Sequence, residues 1–266
     1  MIHQTAIIEN DVQIDTTVKV DAYSIIRKGV IIGANTEIGS HVEILPYTKI
    51  GKNNQIFKGA YIGGLAQDIK HQSTNNSCML EIGDSNIIRE FVTIHKGTKR
   101  ISKIGNNNYL MAYSHIAHDC ILNDFITLAN YAGLAGWVEV DNHVFISGHT
   151  LVHQFVRIGI HSMIGGLCRI SQDVPPFALI ADENAKIYDI NRVGLKREGW
   201  DDDKLTQLRK IYKLIFHSGL SLKTGIENAK NIELETKLIT NEVNYLIQFI
   251  KDSKRGVISK WEKKKN

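Results

Sequence analysis

The chain has 266 residues, 43% of them hydrophobic and 23% charged, which is the composition of an ordinary globular protein able to bury a full core. It has no run of about 18 apolar residues, so no membrane span is expected. Residues 1–9 lack the basic start and apolar block of a secretory signal, which makes the cytoplasm the expected location. The net charge of +4 is gathered in the last quarter, ending in Lys263, Lys264 and Lys265; it is too weak to argue for nucleic acid and suits a solvated helical surface. Cys78, Cys120 and Cys168 are too few and too far apart for a disulfide framework or a Cys-x-x-Cys metal site.

From the start of the chain an aliphatic residue recurs every six positions, from Ile2, Ile8, Ile14, Val20 and Ile26 onward to Ile62. The phase resumes at Ile82, Ile88 and Ile94, and again from Ile104 through Leu110, Ile116 and Leu122 to Ile170. Four positions after each aliphatic residue stands a small or β-branched one, such as Val18, Thr36, Ala60, Ala132 or Thr150. Cys120 and Cys168 take this position and read as core fillers. A period of six is a multiple of two, so it holds one strand face inward; it is not a multiple of 3.6 and cannot hold a helical face. Asn35, Asn53, Asn107 and Asn142 suit tight corners with positive φ.

Short strands with a corner every six residues, stacked in parallel, make a solenoid. The pattern resembles the hexapeptide-repeat family. That resemblance implies a left-handed parallel β-helix, a triangular prism of roughly nine coils and about 40 Å, followed by a small α-helical C-terminal domain. The expected division is 1–190 for the prism and 191–266 for the helices. The stretches near 64–80 and 99–103 do not fit the hexads and are expected to protrude as loops, where binding residues tend to sit.

The hexads end after Pro175-Pro176. From Asp201 the period becomes helical: Asp201, Asp202 and Asp203 supply an N-cap and first-turn charge, Leu205, Leu208, Ile211, Tyr212 and Ile215 an apolar face, and Gly219 a stop. A short helix is expected near Leu222 to Lys230 and a long one over Glu235 to Asp252.

The densest polar cluster in the repeat is His115-Ile116-Ala117-His118-Asp119. Two positions after the inward Ile116, His118 falls near a corner and points outward. With three hexads per coil, Gly136 and Gln154 stack on His118, Trp137 and Phe155 on Asp119, and His153 over Ala117 and Ala135. One edge thus presents an imidazole, a carboxylate, a glycine amide one coil away and a second imidazole. Acyl transfer to a hydroxyl needs such a set: a base, an orienting acid and a donor for the tetrahedral oxyanion. Zinc is the rival reading, since some β-helices of this type bind it, as in the γ-class carbonic anhydrases. However, His115 and His118 are three apart on a strand and no third ligand stands at a matching position, so no metal is expected. His143, His161 and most of the remaining histidines show no pattern.

Longer stretches sharpen the resemblance. Ile116-Ala117-His118-Asp119-Cys120, Gln67-Asp68-Ile69-Lys70, Thr93-Ile94-His95, Leu134-Ala135-Gly136, His153-Gln154-Phe155, Gln172-Asp173-Val174-Pro175-Pro176, Gly194-Leu195-Lys196-Arg197 and Ser253-Lys254-Arg255-Gly256 are similar, in order, to the UDP-N-acetylglucosamine acyltransferase family of lipid A synthesis. The resemblance implies transfer of a 3-hydroxyacyl group from acyl carrier protein to the sugar 3-hydroxyl by a homotrimer with sites between subunits. No permanent cofactor is implied; the acyl group arrives on the carrier's phosphopantetheine. His118 would be the general base, Asp119 its orienting partner and the Gly136 amide the oxyanion donor. Asp68 and Lys70 would meet sugar and acyl donor, while His95, His115, His153 and Gln154 would line the cleft. Asn191 and Arg197 would bind the nucleotide, and Gly166 would leave room for a long acyl chain.

Four departures from the family pattern concern the acceptor. Trp137 stands where a sugar-holding histidine is usual, and Asp182-Glu183-Asn184 replaces a Gly-Asn pair followed by His or Arg. Val193 and Glu198 stand where an acidic and a basic residue are expected, so Glu198 sets negative charge near a diphosphate. They admit a diverged enzyme acting on another nucleotide sugar, with a non-catalytic trimeric scaffold as a further alternative.

Overall fold

The computed structural model describes residues 1–69 and 79–259; Lys70 and Cys78, named above, lie outside them. Most strands are two residues long, and the second residue is the inward aliphatic of each hexad. Successive coils pair in parallel with a shift of one coil: His115–Ile116 pairs with Gly133–Leu134, and that with Leu151–Val152. The result is a three-sided prism with walls of nine, eight and ten strands, parallel except for the closing pair Ala178–Ala181 and Lys186–Ile190. Ile26, Ile44, Ile62, Ile94, Ile116, Leu134 and Ile170, all on the nine-stranded wall, form a fully buried column. Each contributes about 1.5–3 kcal/mol by leaving water. Cys120 and Cys168 are buried among them, and burial pushes the Cys120 thiol up to about 12, which removes it as a nucleophile.

Corners turn three residues after the inward aliphatic, where the backbone enters the left-handed region. Asn35, Asn53 and Asn107 sit there as expected, and so does Asp119 at φ 60°. Asn142 does not; its neighbour His143 takes the left-handed φ of 58°. Asn142 instead accepts a hydrogen bond from the Asp124 amide, extending a side-chain ladder in which Asp124 caps the Asn106 amide and Asn106 that of Asp84. Rings at the corner position stack from coil to coil, as in Phe91, Tyr113, Tyr131 and His149, 4.8–5.1 Å apart.

The second break in phase lies slightly earlier than the sequence suggested. Ser102–Ile104 is already a strand, paired with Leu80–Ile82, so the inserted residues are those between His95 and Ser102. They do not project as a binding loop but fold against the corner at Asp119.

Beyond the prism come α1 (Arg192–Arg197), α2 (Asp202–Phe216), α3 (Leu222–Thr236) and α4 (Thr240–Lys251). Asp201 caps α2 by accepting from the Lys204 amide. The long helix expected from Glu235 is corrected: α3 runs on to Thr236, Lys237 turns left-handed, and α4 starts only at Thr240. The buried carboxylate of Glu233 causes the break, accepting from the Ile239 amide and the Thr240 hydroxyl. After α4 the chain returns to the prism, where the Asp173 carboxylate takes the Arg157 amide and the Ser253 hydroxyl, and Val257 bridges Asp173. This tail covers the last coil, as the end of a solenoid must be covered. Among the described residues no helix is long and apolar enough to cross a membrane.

Candidate active site

The nine-stranded wall carries the polar cluster. His118 stands at the corner that closes it, with Asp119 next in the chain and Gly136 and Gln154 on the two following coils, as the hexad arithmetic requires. Register alone brings His118 and Gly136 together: a Cβ built on Gly136 would lie 2.7 Å from Cε1 and Nε2 of the His118 ring. Ladder bonds use the amides of Ala135 and Trp137, which donate to the carbonyls of Val152 and His118. The Gly136 amide has no such partner among the described residues.

Asp119 is fully buried, yet every oxygen is satisfied. One accepts from the Thr98, Lys99 and Arg100 amides at 3.0, 3.0 and 2.9 Å; the other accepts from the Thr98 hydroxyl at 2.7 Å and faces His118 Nδ1 at 2.6 Å. Burial opposes ionisation, but the bonds from His118, the Arg100 amide, the Thr98 hydroxyl and the Lys99 amide outweigh it and hold the carboxyl well below the usual carboxylate range. An ionised carboxylate can only accept, so His118 Nδ1 carries a proton towards Asp119, and in the neutral ring Nε2 is the nitrogen with the lone pair. Gly97 makes the cradle possible, because a Cβ there would strike the Arg100 carbonyl at 1.6 Å. The Arg100 guanidinium spans the outside, bonded to the Asp119 carbonyl and Glu139 and lying over Trp137 at 4.8 Å.

Sequence reasoning missed this cradle. Thr98 precedes Asp119 by 21 residues, one short of the spacing by which Thr93 pairs with His115 across the phase break, so counting coils does not lead to it.

An open groove of about 770 Å³ runs along the wall, lined by Asp68, His115, His118, Leu134, Gly136 and Gln154, among others. The first inserted loop therefore does return to the site, at Asp68. His115 is held by Thr93, Oγ1 to Nδ1 at 2.7 Å, and packs edge-on against His95 at 5.0 Å. His95 lies behind the groove, buried, with Nδ1 unpartnered among the described residues. His153 is exposed and turned to the Gln154 carbonyl, and it is not part of the groove wall.

Burial, then the nearby His115 and His118, lower the His95 pKa from the ordinary 6.5 to about 4. A depressed folded-state value means that the unfolded chain binds more protons below pH 6.5. The stabilisation is therefore complete above pH 6.5 and is lost as pH falls towards 4, amounting to about 2 kcal/mol by pH 5. Urea midpoints at pH 7 and pH 5 should show this loss, and His95→Phe should flatten it.

The remaining candidates lie elsewhere. Gly166 is exposed on the opposite edge of the nine-stranded wall, following strand Met163–Ile164. Asn191 is at the third edge, and its side chain is already engaged: Oδ1 caps α1 at the Gly194 amide and Nδ2 donates to the His161 carbonyl. Arg197 and Val193 are exposed on α1. One chain alone does not bring these residues to His118.

The chain resembles known proteins over nearly its whole length. The acyl-[acyl-carrier-protein]–UDP-N-acetylglucosamine O-acyltransferase of Herminiimonas arsenicoxydans is 44% identical over 265 residues, covering 97% of this chain and 99% of that protein. The enzyme of the same name from Campylobacter concisus is 38% identical over 259 residues, 96% of each. The chain belongs to the UDP-N-acetylglucosamine acyltransferase family. A family model described as UDP N-acetylglucosamine O-acyltransferase, domain 2, matches residues 173–258. The solved UDP-N-acetylglucosamine acyltransferase of Francisella novicida superposes with a TM-score of 0.91 at 35% identity, covering 99% of this chain and 95% of that one. The acyltransferase fold is thus the left-handed parallel β-helix of its family, with the helical segment at its end.

Proposed function

We propose that this acyltransferase moves a 3-hydroxyacyl group from acyl carrier protein to the 3-hydroxyl of UDP-N-acetylglucosamine, in the cytoplasm, as the first step of lipid A synthesis. The observation that carries this reading is the pairing of a properly tautomerised imidazole with an uncommitted amide one coil above it. His118 Nε2 takes the proton of the sugar hydroxyl while its oxygen attacks the thioester carbonyl. Asp119 holds the resulting imidazolium. Negative charge collects on the carbonyl oxygen, where the Gly136 N–H meets it. Collapse of the intermediate breaks the carbon–sulfur bond, and His118 returns the proton to the departing thiolate. The only cofactor chemistry is that of the phosphopantetheine thiol carried in by the donor protein.

Asp68, His115 and Gln154 line the groove that would take the sugar, and Lys70, two residues after Asp68 in the sequence, would meet the acyl donor. His95 supports His115 from behind. Asn191 and Arg197, at a different edge from His118, support a homotrimer in which a neighbouring chain supplies the nucleotide-binding residues. The same separation supports Gly166 of one edge measuring the acyl chain. A glycine there leaves space, so long donors are preferred, and Gly166→Met should shift the optimum to shorter chains.

A second reading, acylation of another nucleotide sugar, draws on Trp137, which lies between Arg100 and Phe155, and on Glu198. The deciding experiment offers 3-hydroxyacyl carrier proteins of graded length to the protein with UDP-N-acetylglucosamine or with a 3-amino nucleotide sugar. Ester formation with the first acceptor supports the proposal. Turnover of the amino sugar alone selects the second reading, and turnover of neither refutes both.

A further inference from the structure

The third edge of the prism, where the eight-stranded and ten-stranded walls meet, holds neither His118 nor Gly166. The hexad rule there sets His143 and His161 one above the other, with ring centroids 4.7 Å apart and planes 22° from parallel. Glu198, at the end of α1, reaches across so that Oε1 lies 3.2 Å from His143 Nδ1. One donor atom from each of the three residues falls within 4.8 Å of the others. We propose that His143, His161 and Glu198 form a binding site for a divalent transition-metal ion of the zinc, cobalt or nickel class, with water completing the coordination.

Stacking alone does not account for the two imidazoles. The same column continues with plain phenyl rings, Phe125 below and Phe177 above, so the corner accepts rings without nitrogen. Nitrogen-bearing rings occupy the two coils that Glu198 reaches. Two imidazoles and a carboxylate are a donor set suited to borderline divalent ions.

The frame is rigid where it needs to be. Both histidines stand on backbone fixed by the strand ladder. The helix bearing Glu198 is tied to the same corner through Asn191, whose Nδ2 donates to the His161 carbonyl at 2.9 Å. Bonds of about 2.0–2.2 Å require donors about 3.3 Å apart. Rotation of the His143 and Glu198 side chains, 29% and 42% exposed, closes the difference. Their exposure also leaves an open side for water.

The site also bears on the unexpected glutamate. If Arg197 and Asn191 bind the nucleotide as proposed, an ion held by Glu198 would replace its opposing charge with a positive one near the diphosphate. That consequence rests on the proposed function; the metal site does not.

The test uses the untagged full chain, stripped with chelator and titrated with Co²⁺ while visible absorption and heat are followed. One equivalent should bind per chain with the absorption of a nitrogen- and oxygen-ligated ion. H143F and H161F preserve the ring column, and E198Q preserves the shape of an exposed side chain. Each should weaken binding at least tenfold, and H143F/E198Q should abolish it. Absence of one-equivalent binding by the parent, or binding by E198Q and H143F as tight as the parent's, would overturn the proposal. Should a histidine variant fail to fold, E198Q alone decides. Acyl transfer measured with and without Co²⁺ tests the effect on nucleotide binding separately, since metal can bind whether or not the rate responds.

Discussion

His118→Ala should lower kcat by about 10³–10⁴-fold while leaving the protein folded. General acid–base assistance supplies a factor of about 10²–10⁴, and here one imidazole serves both proton transfers, so the loss is set at the upper part of that range. The fold should tolerate the change, because Asp119 keeps four of its five hydrogen-bond donors when His118 is gone: three amides and the Thr98 hydroxyl. Its buried charge stays compensated, which avoids the usual penalty of stranding a buried ion. KM for the nucleotide sugar should change little. The discriminating comparison is single-turnover rate against thermal midpoint; a large fall in both would mean that His118 is structural.

Gly136→Ala should cost about 10²-fold or more in kcat with almost no loss of stability. Gly136 is not in the left-handed region, so an alanine meets no backbone strain. Its methyl group would, however, stand 2.7 Å from Cε1 and Nε2 of His118, and the ring has to move. The amide proposed to meet the oxyanion is retained, so the loss measures displacement of the base rather than removal of a donor. Misplacement of a reacting group by about 1 Å is enough for a factor of that size. A crystal structure of the variant should show the His118 ring rotated away from the groove. Unchanged kcat would mean that the two coils do not cooperate in the reaction.

Much of this geometry could be read from the order of residues, because a prism with a fixed period converts sequence distance into spatial distance. Counting three hexads from His118 leads to Gly136 and then Gln154, and the ladder places them so. The same count from His143 leads to His161, a pairing that spacing could have revealed; Glu198, which completes the group, comes from a separate helix and obeys no period. Where the period breaks, counting fails. The cradle made by Gly97 to Arg100 sits in such a break, and its role depends on three amides converging on one oxygen, which residue types do not announce. The start of α4 was misplaced for a related reason. Local propensity continues through Glu235 to Ile239, but left-handed Lys237 and the Glu233 carboxylate, which takes the Ile239 amide six residues on, turn the chain there. Asn191 shows the opposite case, a residue read as nucleotide-binding whose side chain already joins α1 to the prism.

The most direct test of the acyl-transfer site is a crystal structure with the acylated nucleotide sugar bound. The ester oxygen should lie about 2.6–3.2 Å from His118 Nε2, and the acyl carbonyl oxygen about 2.7–3.1 Å from the Gly136 amide. Product bound away from the His118–Gly136 corner, or with its ester beyond reach of that imidazole, would contradict the account.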